Sequence, residues 1–376
     1  MNPGGVKGSA IRISVATGEE REKCYGLAYE VFCEEMGALL QEADQDRRIV
    51  KDDAIEKAHL LCARMDGELA GTMGILKGDE RPFPEHFERG FGIARFLPVV
   101  PRERMALNIR FLVRARFRGT PVPFRLIVEA QNYQMMEGVL LSFCDCQPHL
   151  LDLYQSLGFR PCAPVFEQPG FGLMVPLMLC TVDVAHLRSV RSPLIRYSQG
   201  ASGDPELSAR ICALLPEETP VLNADQLEGD AWSETYGLLC RPRKKTSAFE
   251  GFSERELAAF LDNGRVLRCS GGQQVILEGQ GTKTAFIVLE GAVEARRNGA
   301  PIAVFREGEL FGEFAFLLDA RRTADVFALS DSVRLLVLND RTLQRILASD
   351  PAIASKFLLN LSKSLALRLI GRDAER

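Results

Sequence analysis

The sequence predicts an α+β chain in two parts: a mixed α/β sheet domain, then a jelly-roll-like β-roll with flanking helices. Three observations predict this. Residues 10–195 alternate strand-like and helix-like segments. Residues 251–376 carry short apolar strands separated by tight-turn signals, Glu278-Gly279-Gln280-Gly281 and Asn298-Gly299 among them. Between them, residues 196–250 turn polar, with a loop over Ser198–Pro205, a short helix at Glu206–Leu215 and a partly ordered piece at Leu222–Tyr236. At 376 residues the chain exceeds one ordinary core, which agrees with two domains joined by a linker.

Composition narrows the function classes. Apolar residues at 46% and charged residues at 26% are ordinary for a soluble globular protein. A net charge of −4 implies no general nucleic-acid-binding surface. The ten cysteines have no zinc-site spacing, and Cys144-Asp145-Cys146 with His149 reads as buried, reduced thiols, so no metal is expected. Met1–Gly5 lead into no apolar signal core. The longest apolar stretch, Phe171–Val182, is too short to span a bilayer, so a cytoplasmic location is expected. Arg241-Pro242-Arg243-Lys244-Lys245 reads as solvated linker.

In the first part Ile11–Ala16 alternates as a strand, and Glu19–Met36 reads as a helix with Tyr25, Tyr29, Phe32 and Met36 on neighbouring turns. His59–Arg64 and Leu69–Leu76 form a hairpin about Met65-Asp66-Gly67-Glu68. Met105–Ala115 is a strand, Val122–Glu137 a helix, Val139–Phe143 a strand, His149–Leu157 a helix and Phe171–Val182 a last strand. The sequence Arg116-Phe117-Arg118-Gly119-Thr120, between strand and helix, suits a phosphate cradle. Its glycine lets backbone approach oxygen, and the helix start offers free N–H groups.

In the second part Ser253 is an N-cap for Glu254–Leu261, with Glu256 at the capping-box position. Strands are expected at Arg265–Arg268, Gln274–Leu277, Thr284–Leu289, Ala292–Arg296, Ile302–Phe305 and Val333–Leu338, and a short helix at Thr342–Ala348. In the closing helix after Asp350-Pro351, Ile353, Phe357, Leu361, Leu365 and Leu369 recur every fourth residue, with Leu358 and Leu367 widening the stripe. That stripe either packs on the roll or closes over a ligand and offers a homodimer face.

The run Phe311-Gly312-Glu313-Phe314-Ala315, followed by Arg321-Arg322-Thr323-Ala324-Asp325-Val326, joins a glycine-led helical turn to an arginine nine residues beyond a glutamate. Backbone N–H groups and a guanidinium can receive one phosphate, while a carboxylate accepts a hydroxyl. This stretch resembles the phosphate-binding cassette of the cyclic nucleotide-binding domain family, found in catabolite-activator-type regulators and cyclic-nucleotide-dependent kinases. The resemblance covers residues 251–376 and implies a site at Phe311, Gly312, Glu313, Phe314, Ala315, Arg322, Thr323 and Ala324. Register to Ala324 and Val326 selects Arg322 over Arg321. The expected effector is cAMP, with cGMP the alternative because Thr323 is similar to the threonine of cGMP-selective members. Glu313 and Arg322 are expected to grip opposite edges of the messenger, and a cleft plugged by neighbouring bulk would tell against a signal receiver.

The strand, the Arg116–Thr120 loop, the helix and Leu153-Tyr154-Gln155-Ser156-Leu157-Gly158-Phe159 together resemble the GNAT acyltransferase fold. Glu22–Gly37 is similar to the opening helix of the N-acyl amino acid synthase and acyl-homoserine-lactone synthase branch. The resemblance implies donor contacts at Phe111, Leu112, Val113, Arg116, Gly119 and Thr120, and Tyr154 as the acid that protonates the departing thiolate. A phenol, with an ordinary pKa of about 10, suits that donation. Pro121 removes one amide from the cradle, which favours acyl carrier protein over acyl-coenzyme A as donor. Gly92 stands where the synthase branch carries a glutamate, so Glu34, Glu35, Asp52, Asp53 and His59 remain as acid–base groups with none selected. The pairing of modules resembles the cyclic-AMP-regulated protein lysine acetyltransferases of mycobacteria, in which the sensor comes first. The expectation is a nucleotide-regulated transfer to an amine, either an amino acid or a protein lysine. The alternative is a non-enzymatic, nucleotide-responsive protein whose first domain docks a partner or lipid.

Overall fold

The structure, a computed structural model, describes residues 10–38, 40–79, 81–168, 171–198, 203–216, 221–223, 248–253, 255–257, 265–279, 284–318 and 320–374. The chain divides into two compact units. The first comprises residues 1–145, 152–163 and 176–216, and the second 146–151, 164–175 and 217–376. Residues 205–216, within the stretch expected as linker, thus group with the first unit. Arg241–Lys245 and most of Leu222–Tyr236 lie outside the described residues.

Strand β1 (Ile11–Val15) leads into helix α1 (Glu19–Tyr29), prolonged by a π-helical turn over Glu30–Glu35. A ribbon of β2 (Ala43–Asp44) and β3 (Ile49–Val50) and the helix α2 (Asp53–Lys57) precede the hairpin β4 (His59–Met65) and β5 (Glu68–Lys77). Next come α3 (Glu85–Phe91), β6 (Met105–Val113), α4 (Val122–Met136), β7 (Leu141–Cys146) and α5 (Leu151–Ser156). The series closes with β8 (Arg160–Pro161), β9 (Phe166–Gln168), β10 (Gly172–Cys180), α6 (Val184–Ser189) and α7 (Pro205–Cys212). The sheet order is β1-β4-β5-β6-β7-β10-β8, with β9 on β10.

Strand alternation explains how this sheet buries both faces. Leu60 and Cys62 join α1 in one core cluster, while Leu61 and Ala63 join α4 residues Leu126 and Ala130 in another. On β6 the parity changes midway. Met105, Leu107 and Ile109 share the first cluster, and so does Leu112, three residues on. The extra residue is a bulge at Arg110, whose φ is 50°, and the β5–β6 register slips between Thr72 and Gly74. Bonds from the Arg110 guanidinium to Asp52 and to the Val50 carbonyl oxygen (2.6 Å) anchor the bulge.

The second unit contains a five-stranded sheet, β11 (Val221–Asn223), β12 (Arg265–Ser270), β19 (Ser332–Asn339), β14 (Thr284–Glu290) and β17 (Leu310–Phe311). Its four-stranded partner orders β13 (Gln274–Ile276), β18 (Asp325–Ala328), β15 (Ala292–Arg297) and β16 (Ala300–Arg306). Asn298 and Gly299, at φ 51° and 76°, form the two-residue turn between β15 and β16. Helix α8 (Glu313–Leu318) sits between β17 and β18, and α9 (Asp340–Ser349) and α10 (Pro351–Ala374) follow. Ile353, Phe357 and Leu361 of α10 lie in the roll's core, so the first turns of the apolar stripe are spent there. Ser253 and Glu256 exchange the expected capping bonds, Ser253 N–H to Glu256 Oε2 (2.7 Å) and Glu256 N–H to Ser253 Oγ (3.3 Å). Among the described residues no helix is long and apolar enough to cross a membrane, and no group of three His, Cys, Asp or Glu side chains could hold a metal ion.

Candidate functional site

Gly312, at φ 77°, turns the chain from β17 into α8. A Cβ there would lie 2.6 Å from Nη1 of Arg322, so both backbone and space require glycine. Arg322 is 5% exposed. Its Nη1 donates to the Gly312 carbonyl oxygen (2.7 Å), and Nη2 to the carbonyl oxygen and Oγ1 of Thr284 (each 2.6 Å). The guanidinium carbon lies 5.9 Å from the Phe286 ring centroid. Burial pulls the Arg322 pKa down to about 10, opposed by the charge of Glu313, which leaves a desolvated cation at neutral pH.

Glu313, Phe311, Ala315 and Ala324 are buried with it, and Phe311 stacks on Phe286 at 5.2 Å. Phe314 and Thr323 are exposed and Gly312 is half-buried, so these three of the eight residues expected here lie outside the buried group. Arg321 is also exposed and bonds the Gly279 carbonyl oxygen at 3.1 Å. Sequence reading missed Thr284 and Phe286, which looked like ordinary alternating strand residues.

Arg322, Thr284 and Phe286 face a cavity of about 20 Å³ within the second unit. That is room for about one water, against roughly 300 Å³ or more for a small-molecule site. The expectation of an open cleft is therefore not met. Its walls are completed by Val275, Ile276 and Val337 of the roll's strands and, from outside them, by Gln147, Pro148, Phe171 and Leu173.

In the first unit, β6 and β7 run parallel and pair only over Met105–Leu107 with Leu141–Phe143. Past that point side chains take over: Asn108 Nδ2 donates to Ser142 Oγ (2.7 Å) and to the Phe143 carbonyl oxygen (3.3 Å), and Gln134 donates to Asn108 Oδ1 (2.8 Å). Phe111, Leu112 and Val113 continue β6 beyond the end of pairing and beyond the bulge. The Arg116–Thr120 loop follows and enters α4 through Pro121. A side chain at Gly119 would meet nothing within 4 Å, leaving the loop backbone open to approach. Arg116 pairs with Glu68 (2.5 Å), and Thr120 Oγ1 donates to the Phe117 carbonyl oxygen (2.7 Å). Tyr154, on α5, is half-buried and edge-on to Phe159.

Among the acid–base groups named from sequence, Glu34 pairs with Arg48, Glu35 with Arg118, and Asp52 caps α2 and binds Arg110. Asp53 opens α2. His59 stacks on Tyr133 at 3.8 Å, in an open cleft of about 520 Å³ by Lys77, at the end of β5 away from Val113; burial lowers its pKa. Gly92, at φ 60°, ends α3 in the left-handed conformation, a structural reason for glycine where a glutamate was expected. The group that sequence reading missed is Asp145, two residues past the last β6–β7 pair. Its Oδ2 is shielded from solvent and has no hydrogen-bond partner among the described residues. Burial pushes its pKa up to about 6.

Residues 266–350 match the family described as cyclic nucleotide-binding domain, and residues 27–128 the family described as acetyltransferase (GNAT) domain. The chain thus carries a GNAT-type acetyltransferase domain followed by a cyclic nucleotide-binding domain. The cGMP-dependent protein kinase egl-4 of Caenorhabditis briggsae is 41% identical over 80 residues, 21% of this chain and 10% of the kinase. The match to its Caenorhabditis elegans counterpart has the same extent, so the chain spans a tenth of the length of these curated relatives. Among solved structures, a cyclic nucleotide-binding domain from Methylobacillus flagellatus is 20% identical, covering 40% of this chain and 85% of its own, with a TM-score of 0.34. The catabolite activator protein of Thermus thermophilus is 26% identical over 34% of this chain and 60% of its own, with a TM-score of 0.31.

Proposed function

We propose that this protein is a cyclic-nucleotide-regulated N-acyltransferase. Its first unit moves an acyl group from acyl carrier protein or acyl-coenzyme A to an amine, of an amino acid or a protein lysine, and its second binds cAMP or cGMP. The observation that carries the reading is the match of residues 266–350, with Glu313 and Arg322 buried among them, to the nucleotide-binding family, on a chain that also matches the GNAT family; the filled cavity beside Arg322 counts against it. The kinase relative is named for cGMP, which supports testing both nucleotides.

In the transfer, the amine nitrogen attacks the thioester carbonyl carbon and the C–S bond breaks. Asp145 accepts the proton that nitrogen loses, and the Tyr154 hydroxyl protonates the departing thiolate, so one proton leaves and one is supplied. Near Phe111–Val113, β6 keeps its pairing with β5, while its pairing with β7 ends at Leu107, and an amide on that second edge would bond the thioester oxygen. Pro121 supports acyl carrier protein as the donor.

The test is acyl transfer from thioesters of several chain lengths to amino acids and lysine peptides, with and without each nucleotide. Nucleotide-dependent transfer is expected; inactivity at every chain length with nucleotide bound would favour the non-enzymatic alternative. Tyr154→Phe is expected to lower kcat about a hundredfold with little change in KM, read from steady-state rates. An unchanged kcat would remove Tyr154 from the mechanism.

A further inference from the structure

We infer that the nucleotide site is held shut by an internal ligand, the segment around Phe171–Leu173 with Gln147-Pro148, which a cyclic nucleotide must displace to bind. The inference rests on the nucleotide-sensing reading and adds its regulation. All the residues concerned lie in the second unit. On the roll side, Thr284, Phe286 and Arg322 define the pocket; facing them, the aromatic ring of Phe171 and the buried Leu173 leave about 20 Å³. Ring, aliphatic chain and amide offer the same mix of apolar bulk and polar edge that a nucleotide base presents, so one cleft cannot hold both.

Two further observations bear on the occupant. Gln273, beside β13, donates from Nε2 to the Val165 carbonyl oxygen at 2.9 Å, which tethers the chain at the residue just before β9. The Phe166–Gln168 strand then pairs with Gly172–Met174, so the occupant is carried on a hydrogen-bonded hairpin with a defined register. Meanwhile the Arg322 guanidinium is bonded to Gly312 and Thr284 oxygens, a resting arrangement that an incoming phosphate would exchange for charge-assisted bonds.

The connection to acyl transfer is covalent. Gln147-Pro148 lies between Asp145 and the helix bearing Tyr154, and Leu173 is the second residue of the strand that runs on to Cys180. Displacing the segment therefore pulls on chain that leads directly into the proposed catalytic groups. By linkage, whatever favours the closed segment weakens nucleotide binding by the same factor.

The experiment titrates the full chain with cAMP and with cGMP by calorimetry, as wild type, Phe171→Ala and Gln273→Ala. Opening the segment raises the competent fraction, so Phe171→Ala is expected to tighten binding about tenfold and Gln273→Ala a few-fold. Hydrogen exchange over residues 164–168 and 171–175 should rise on nucleotide saturation of the wild type. Equal affinity in all three proteins with unchanged exchange would overturn the inference while leaving the sensor intact. Weaker binding by Phe171→Ala would make that ring part of the nucleotide's own site, and also overturn it. No binding by any of the three, each folded by circular dichroism, would end the sensor reading and the inference together. Should Phe171→Ala not fold, Gln273→Ala and the wild-type exchange decide.

Discussion

Replacing Arg322 with alanine is expected to weaken cAMP and cGMP binding about a hundredfold, measured by calorimetry on the full chain. A hydrogen bond to a charged group contributes about 1.5–3 kcal/mol, and the guanidinium can offer two in a forked geometry. Loss of about 3 kcal/mol corresponds to roughly a hundredfold in affinity. Burial strengthens the case, because the cation is only 5% exposed and a phosphate would meet it with little water between. Arg322→Lys keeps the charge and loses the fork, so an intermediate loss of about tenfold is expected. Because Arg322 also bonds Thr284, thermal melts of each variant separate lost binding from lost structure. Unchanged affinity in a folded Arg322→Ala protein would remove this guanidinium from the site.

The residues that could be read from sequence are those whose meaning is local. Gly312, Glu313 and Arg322 stand within eleven positions, so a conformational demand, a carboxylate and a cation are visible together. Asn298-Gly299 announces its turn in the same way, and Ser253 with Glu256 its cap. Strands at Thr284–Glu290 and Ser332–Asn339 are legible because both are apolar runs bounded by turns.

What escaped depends on distant pairing. The short strand Asp325–Ala328 exists because it bridges β13 and β15, and nothing in its four residues marks it apart from the cassette. The carboxylates Glu34 and Glu35 looked free for chemistry, yet their partners Arg48 and Arg118 come from other elements. Asp145 was masked by its cysteine neighbours, and its isolation follows only from where β6 and β7 cease to pair. The filled pocket is likewise invisible, since Phe171 stands about 150 residues from Arg322 in a stretch read simply as a final strand.

Asp145→Asn is expected to lower acyl transfer by a hundredfold to a thousandfold while raising the melting temperature. The first half follows from the proposed role, since general base catalysis typically contributes about 10²–10⁴-fold. The second follows from the sign of its titration. Burial raises the folded-state pKa to about 6, above the ordinary carboxylate value near 4. The folded protein therefore binds this proton more tightly than the unfolded chain does. That contribution is fully present below about pH 4 and is lost as pH rises towards 6, so the ionised form costs stability at neutral pH. Asparagine keeps the shape and removes the cost, and a gain of a few degrees in Tm is a reasonable scale. In the wild type, kcat/KM should fall about tenfold per pH unit below roughly pH 6, as the base becomes protonated, while the residual rate of Asp145→Asn stays flat there. A purely structural carboxylate would move stability without that change in the pH profile. Full activity in Asp145→Asn, or an acid limb that survives the substitution, would return the general base to the unassigned groups.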